Sequence, residues 1–120
     1  MKKYKEIFKL KRMLEKENIP FDWVECFGYS KEEIEQLKKI APDLTEYYQI
    51  CYPKGSASNW ENRYISVIEG FGTYGAEQDK LEIMGGFTPW EKYTESGSVM
   101  GGLTAHNVFT RIKKHYYKEL

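Results

Sequence analysis

Three groups of residues in this chain have the types and spacing to hold an anion. Gly70, Gly72 and Gly75 spell G-x-G-x-x-G after a strand-like run, and such a turn can bring backbone N–H groups up to a phosphate. Arg111, Lys114 and Lys118 recur at i, i+3 and i+7, which on a helix makes one basic stripe. Arg111 is its most selective member, because a guanidinium can grip two oxygens at once. Trp60 and Arg63 flank the end of a small, polar loop, where an indole and a guanidinium could together meet a protein surface or a nucleotide.

Each group has an ordinary use as well. The glycine run continues into Glu77, Asp79 and Glu82, whose charge would repel an arriving anion, and no apolar second strand follows at Phe87-Thr88-Pro89-Trp90. The expectation is therefore a strand-to-helix corner around Tyr74 and Gly75, with Gly75 at positive φ; a phosphate-binding turn outside the dinucleotide fold stays open. The basic stripe also serves as a solvated helix end, and Trp60 is expected to fold back and staple its loop, the alternative being an anchor for a partner. His106 and His115 stand nine positions apart and share no helical face as an i, i+4 metal pair does. Cys26 and Cys51 form no C-x-x-C unit and read as structural thiols of a reducing cytosol. No catalytic set, metal site or cofactor is expected.

The elements that position these groups follow from periodicity. Lys3 to Glu17 is expected to be a helix with Ile7, Leu10 and Leu14 inward, stopped by Asn18 and Pro20. Ser30 and Glu33 form a capping box for a second helix with Ile34, Leu37 and Ala41 as its buried stripe and Pro42 at its end. Strands are expected at Phe21 to Cys26, Tyr47 to Tyr52 and Arg63 to Glu69, and the last two are joined by a mobile loop, Lys54 to Asn62, too short for a crossover. A short helix is expected through Leu81 and Met84, closed by Gly85 and Gly86, with Asp79 and Glu82 favouring its dipole. A single helical turn at Thr88-Pro89-Trp90-Glu91, a turn-like Glu95 to Gly102, and a last helix capped by Thr104 with Val108, Ile112 and Tyr116 inward complete the chain. The fold class is α+β: one domain over residues 1–120, with a small antiparallel sheet of about three strands and helices on one face.

Charge and composition narrow the function classes. Lys+Arg 18 against Asp+Glu 18 leaves no net field toward nucleic acid, so sequence-specific DNA binding is not expected. No apolar run reaches membrane-spanning length. A lysine-rich first helix facing an acidic middle would permit head-to-tail self-association. Tyr 10, Phe 6 and Trp 3 supply rigid amphipathic surface for an interface as well as a core.

The words Ser66-Val67-Ile68-Glu69, Tyr74-Gly75, Asp79-Lys80-Leu81-Glu82-Ile83-Met84-Gly85, Ser98-Val99-Met100-Gly101, Leu103-Thr104-Ala105 and Val108-Phe109-Thr110-Arg111-Ile112-Lys113 resemble a family of short proteins encoded by phages and prophages of Firmicutes-type bacteria. The resemblance covers about the last two thirds of the chain, with an echo in Leu14 to Trp23, and departs from the family at Gly72, Gly86-Phe87 and His106-Asn107. It implies no particular activity and carries over no catalytic residue. Joined to the aromatic surface and the missing catalytic set, it yields the expectation of a non-enzymatic accessory protein. Such a protein would bind a host protein or a nucleotide signal in the host cytosol, with interference in a bacterial defence system as its use. The alternative is a small enzyme acting on a nucleotide or nucleic acid near Tyr74-Gly75.

Overall fold

The computed structural model describes residues 4–25, 29–41, 46–70, 79–86 and 99–119. The pattern Ile7, Leu10, Leu14 produces helix α1, Lys5–Lys16, with all three side chains buried. Its end is a Schellman motif: Asn18 takes positive φ, the Ile19 N–H donates to the Leu14 carbonyl at 3.0 Å, and buried Ile19 supplies the accompanying apolar contact. Strand β1, Asp22–Glu25, follows, and then helix α2, Lys31–Ile40, which begins at the expected capping box of Ser30 and Glu33. The expected buried stripe of α2 does not hold. Ile34, Leu37 and Ala41 are half-buried, and Ile40 is exposed.

Strands β2 (Tyr47–Tyr52), β3 (Ile65–Gly70), β4 (Leu81–Gly85) and β5 (Val99–Leu103) complete a five-stranded antiparallel meander in the order β1-β2-β3-β4-β5. This corrects the expectation of about three strands. The segment expected as a short helix is β4, in which Leu81 and Ile83 are buried while Glu82 and Met84 are not, and the segment expected to be turn-like contains β5. Pairing decides both cases. Ile83 lies opposite Val67 of β3 and opposite Met100 of β5, so backbone groups that a two-turn helix would leave unpaired are satisfied on both sides. Gly85 ends the strand at φ 86° and does not close a helix. At the other end of β3, a Cβ on Gly70 would collide with the Glu46 carbonyl oxygen and Tyr47 Cα of the paired chain. The first glycine of the G-x-G-x-x-G run is thus required by sheet packing; Gly72, Tyr74, Gly75 and the Thr88 to Glu91 turn lie outside the described residues.

One face of the sheet, carrying Ile50, Tyr52, Ile65, Val67, Leu81 and Ile83, packs against α1 and the last helix, α3 (Ala105–Glu119), through the α1 stripe and through Ala105, Val108 and Ile112. Thr104 caps α3 as expected, its hydroxyl accepting from the Asn107 N–H at 3.2 Å. Much of the aromatic content fills the β1 end of this core. Phe8 meets the Tyr48 ring edge-on at 4.8 Å between centroids, and Trp23 stacks on Tyr48 at 5.9 Å. Among the described residues no helix is long and apolar enough to cross a membrane.

Candidate functional site

The β2–β3 loop is bonded by side chains from outside it. Two side chains grip its Gly55 to Ala57 stretch. Asp22 of β1 accepts from the N–H groups of Gly55 and Ala57 at 2.8 and 3.0 Å through one carboxylate oxygen. Arg63 donates from Nε and Nη2 to the Ser56 carbonyl at 3.0 and 2.8 Å, and from Nη2 to that of Ala57 at 3.1 Å. A carboxylate on N–H groups and a guanidinium on carbonyls make charge-assisted bonds, and these tie down Gly55, Ser56 and Ala57 of the loop expected to be mobile. Its last turn, the 3₁₀ segment Trp60–Asn62, presents Trp60 at 74% exposure. The expected fold-back of this indole does not occur.

Beside the loop, Tyr52, Tyr64 and His115 form a second aromatic group where the sheet ends against the C-terminal half of α3. His115 stacks on Tyr64 at 3.8 Å between centroids with 24° between the planes, and its Nδ1 shares a 3.1 Å hydrogen bond with the Tyr52 hydroxyl. Tyr52 stands edge-on to both rings. Between this group and the loop lies an open cleft of about 690 Å³.

The remaining residues expected to bind are placed apart from it. Arg111 is half-buried, donating to Asn107 Oδ1 at 2.8 Å and to the Gly86 carbonyl at 3.2 Å, whereas Lys114 and Lys118 are exposed on α3. The Arg111 guanidinium is thus engaged with its own chain, as is that of Arg63, while the two lysines face solvent. Tyr74 and Gly75 fall outside the described residues. Cys51 is buried and free, and burial pushes its thiol pKa up, which makes it a poor nucleophile. No group of three or more metal-ligating side chains occurs among the described residues.

A further cluster joins the sheet to the helices. Asp79, at φ 55°, accepts from the Lys5 and Glu6 N–H groups at 2.7 and 3.1 Å, and fully buried Glu69 accepts from the Ile7 N–H at 3.0 Å, so two distant carboxyl groups cap α1. Asp79 and Glu82 do not serve a helix of their own; Asp79 serves α1, and Glu82 sits on β4. Glu6 in turn accepts from the Ala105 N–H at the start of α3. Burial, then hydrogen bonding toward Asp79 and the charges of Asp79 and Glu6, push the Glu69 carboxyl up to about 8, against the opposing N–H of Ile7. Glu69 Oε2 makes no well-formed hydrogen bond. Burial raises Asp79 as well, but the bonds from Glu69, Glu6 and Lys5 lower it overall.

Sequence reasoning reached Trp60 and Arg63 but not Asp22, Tyr52, Tyr64 or the role of His115. The Tyr52–His115 contact joins residues 63 apart. Only the strand-like alternation of Tyr48, Ile50 and Tyr52 hinted that Tyr52 would face a helix. No family model, curated protein or solved structure shows significant similarity to this chain.

Proposed function

We propose that this chain is a non-enzymatic binding protein of a phage or prophage whose recognition element is the β2–β3 loop and whose partner is a host protein of the cytosol, with a bacterial defence component as the target class. The phage origin and the anti-defence role rest on the family resemblance. The choice of a protein partner rests on one observation: Trp60 is 74% exposed on a loop whose Gly55 to Ala57 stretch is gripped by Asp22 and Arg63. An exposed indole has a large apolar area to bury on docking, and tryptophan is enriched among residues that dominate interface energetics. Because Arg63 and Arg111 both donate to backbone carbonyls of their own chain, the phosphate-clamp form of the binding hypothesis loses its two bidentate donors.

The test is affinity capture from a host lysate with wild type and with Trp60→Ala, followed by reconstitution of any captured protein from purified components. The expected result is a stoichiometric partner whose affinity falls by about 2 kcal/mol or more in Trp60→Ala, the range of an interface hot spot. Lys118→Ala should leave that affinity within a factor of about two, as a solvated surface charge does. A reconstituted partner indifferent to Trp60 would overturn the assignment of the loop.

A further inference from the structure

We propose that the cleft between the β2–β3 loop and the C-terminal half of α3 binds a small phosphate-bearing ligand with a planar ring, of the mononucleotide class. This site is separate from the protein-docking role of Trp60, and three observations carry it.

The first is the sign of its walls. Lys54, Arg63 and His115 line the cleft together with Ser56, Asn59 and Asn62, and no carboxylate lines it among the described residues. The chain as a whole is neutral, so this is a local concentration of donors and cationic groups. Asp22, the acid bound to the loop, is committed to the Gly55 and Ala57 N–H groups and is not part of the lining. Arg63 fixes the wall through the Ser56 and Ala57 carbonyls, which leaves Lys54, an exposed ammonium on the rim, as the group suited to a phosphate.

The second is the aromatic wall. Tyr64 and His115 both line the cleft, and their stacking together with the edge-on Tyr52 ring fixes their planes. A ring held in this way is a sequence-tolerant surface for a heteroaromatic base, and the side-chain amides of Asn59 and Asn62 can donate to and accept from its edge. The third is Ser56. It is 1% exposed and lines the cleft, yet its hydroxyl has no hydrogen-bond partner. Buried hydroxyls are normally satisfied, and a small shift of the cleft wall would open this one to a phosphate or sugar oxygen. A volume of about 690 Å³ lies within the range of small-ligand sites.

The experiment titrates the purified full chain with 5′-AMP, adenosine and inorganic phosphate by calorimetry, with amide NMR to locate each response. The expected result is that 5′-AMP binds, and that adenosine and phosphate each bind about tenfold or more weakly than 5′-AMP. Lys54→Ala should weaken 5′-AMP about tenfold or more, and the loss should shrink as salt is raised. The resonances that move should be those of residues 54–64 and of His115. Trp60→Ala should bind 5′-AMP as wild type does, which separates this site from the partner reading. Adenosine binding as well as 5′-AMP would overturn the phosphate subsite, and phosphate binding as well as 5′-AMP would overturn the ring subsite. No response to any of the three probes at millimolar concentration would overturn the proposal. So would responses confined to Lys114 and Lys118 with full affinity retained in Lys54→Ala.

Discussion

The wild-type chain should lose stability steadily as pH rises from 5 to 8, and Glu69→Gln should abolish that loss. Glu69 is fully buried, and its carboxyl is pushed from the ordinary 4.5 to about 8 by burial first and by Asp79 second. Below pH 4.5 the group is protonated in both the folded and the unfolded chain, and its burial has no ionisation cost. Between 4.5 and 8 the unfolded chain releases the proton and the folded chain keeps it, so each pH unit removes about 1.4 kcal/mol of folding free energy. By pH 7 the loss amounts to roughly 3 kcal/mol, a substantial fraction of the total stability of a small domain. Above 8 the curve flattens. Asp79, Glu17 and Glu33 are all lowered from their ordinary values, so their stabilisation is gained as pH rises to about 5 and is complete before this window opens. Glutamine keeps the shape of the side chain, can still accept from the Ile7 N–H, and does not ionise. Urea denaturation followed by far-UV circular dichroism at four pH values from 5 to 8 reads the effect directly. The expected outcome is a sloping wild-type line, a flat Glu69→Gln line, and the variant the more stable of the two at pH 7. A wild-type line that is flat or rising, or a variant with the wild-type slope, would refute the assignment of a protonated acid at this position.

Two further outcomes follow from backbone geometry and from the pinned loop. Gly85→Ala should destabilise the fold by about 2 kcal/mol, because the residue sits at φ 86° and the added Cβ would lie 2.5 Å from the Tyr64 carbonyl oxygen; an unchanged urea midpoint would contradict this. Asp22→Ala should release the N–H groups of Gly55 and Ala57, so their hydrogen exchange and proteolytic nicking within residues 54–59 should both accelerate, at a cost of about 1–2 kcal/mol in overall stability. Exchange rates equal to wild type would show that the loop owes its shape to Arg63 alone.

The helices were legible because a 3.6-residue period leaves a mark that single substitutions do not erase. Ile7, Leu10 and Leu14, and later Val108 and Ile112, are inward in the fold as in the sequence. The error at Leu81 to Met84 has a physical source. In so short a run, Leu81 and Met84 satisfy the helical spacing while Leu81 and Ile83 satisfy the strand spacing, and only the neighbours at Val67 and Met100 choose between them. In β5 the pair Gly101-Gly102 removes the side chains that would have shown alternation, and the register shift against β4 breaks what remains. At the candidate site, Trp60 and Arg63 could be picked out by residue type. The bonding of the loop between them and β2 could not, because it depends on Asp22, more than thirty positions away in the chain from Gly55. Glu69 looked like an ordinary strand residue. Its burial follows from the docking of α1 over the end of β3, which no local pattern encodes.

That docking has a consequence for the order in which the molecule assembles. The first turn of α3 is closed in part by its own neighbour Thr104, but that of α1 has no side-chain cap from its own N-cap residue and is closed by Glu69 and Asp79, from 62 to 74 positions along the chain. A helix with such a start is marginal in isolation, since nucleation is unfavourable and its first N–H groups have only water to bind. The first turn of α3 therefore has one cap that is local in sequence, whereas the beginning of α1 must wait until β3 and the approach to β4 are in place. Destabilising substitutions at Asp79 should accordingly speed unfolding and leave the refolding rate nearly untouched, while substitutions at Thr104 should act on both.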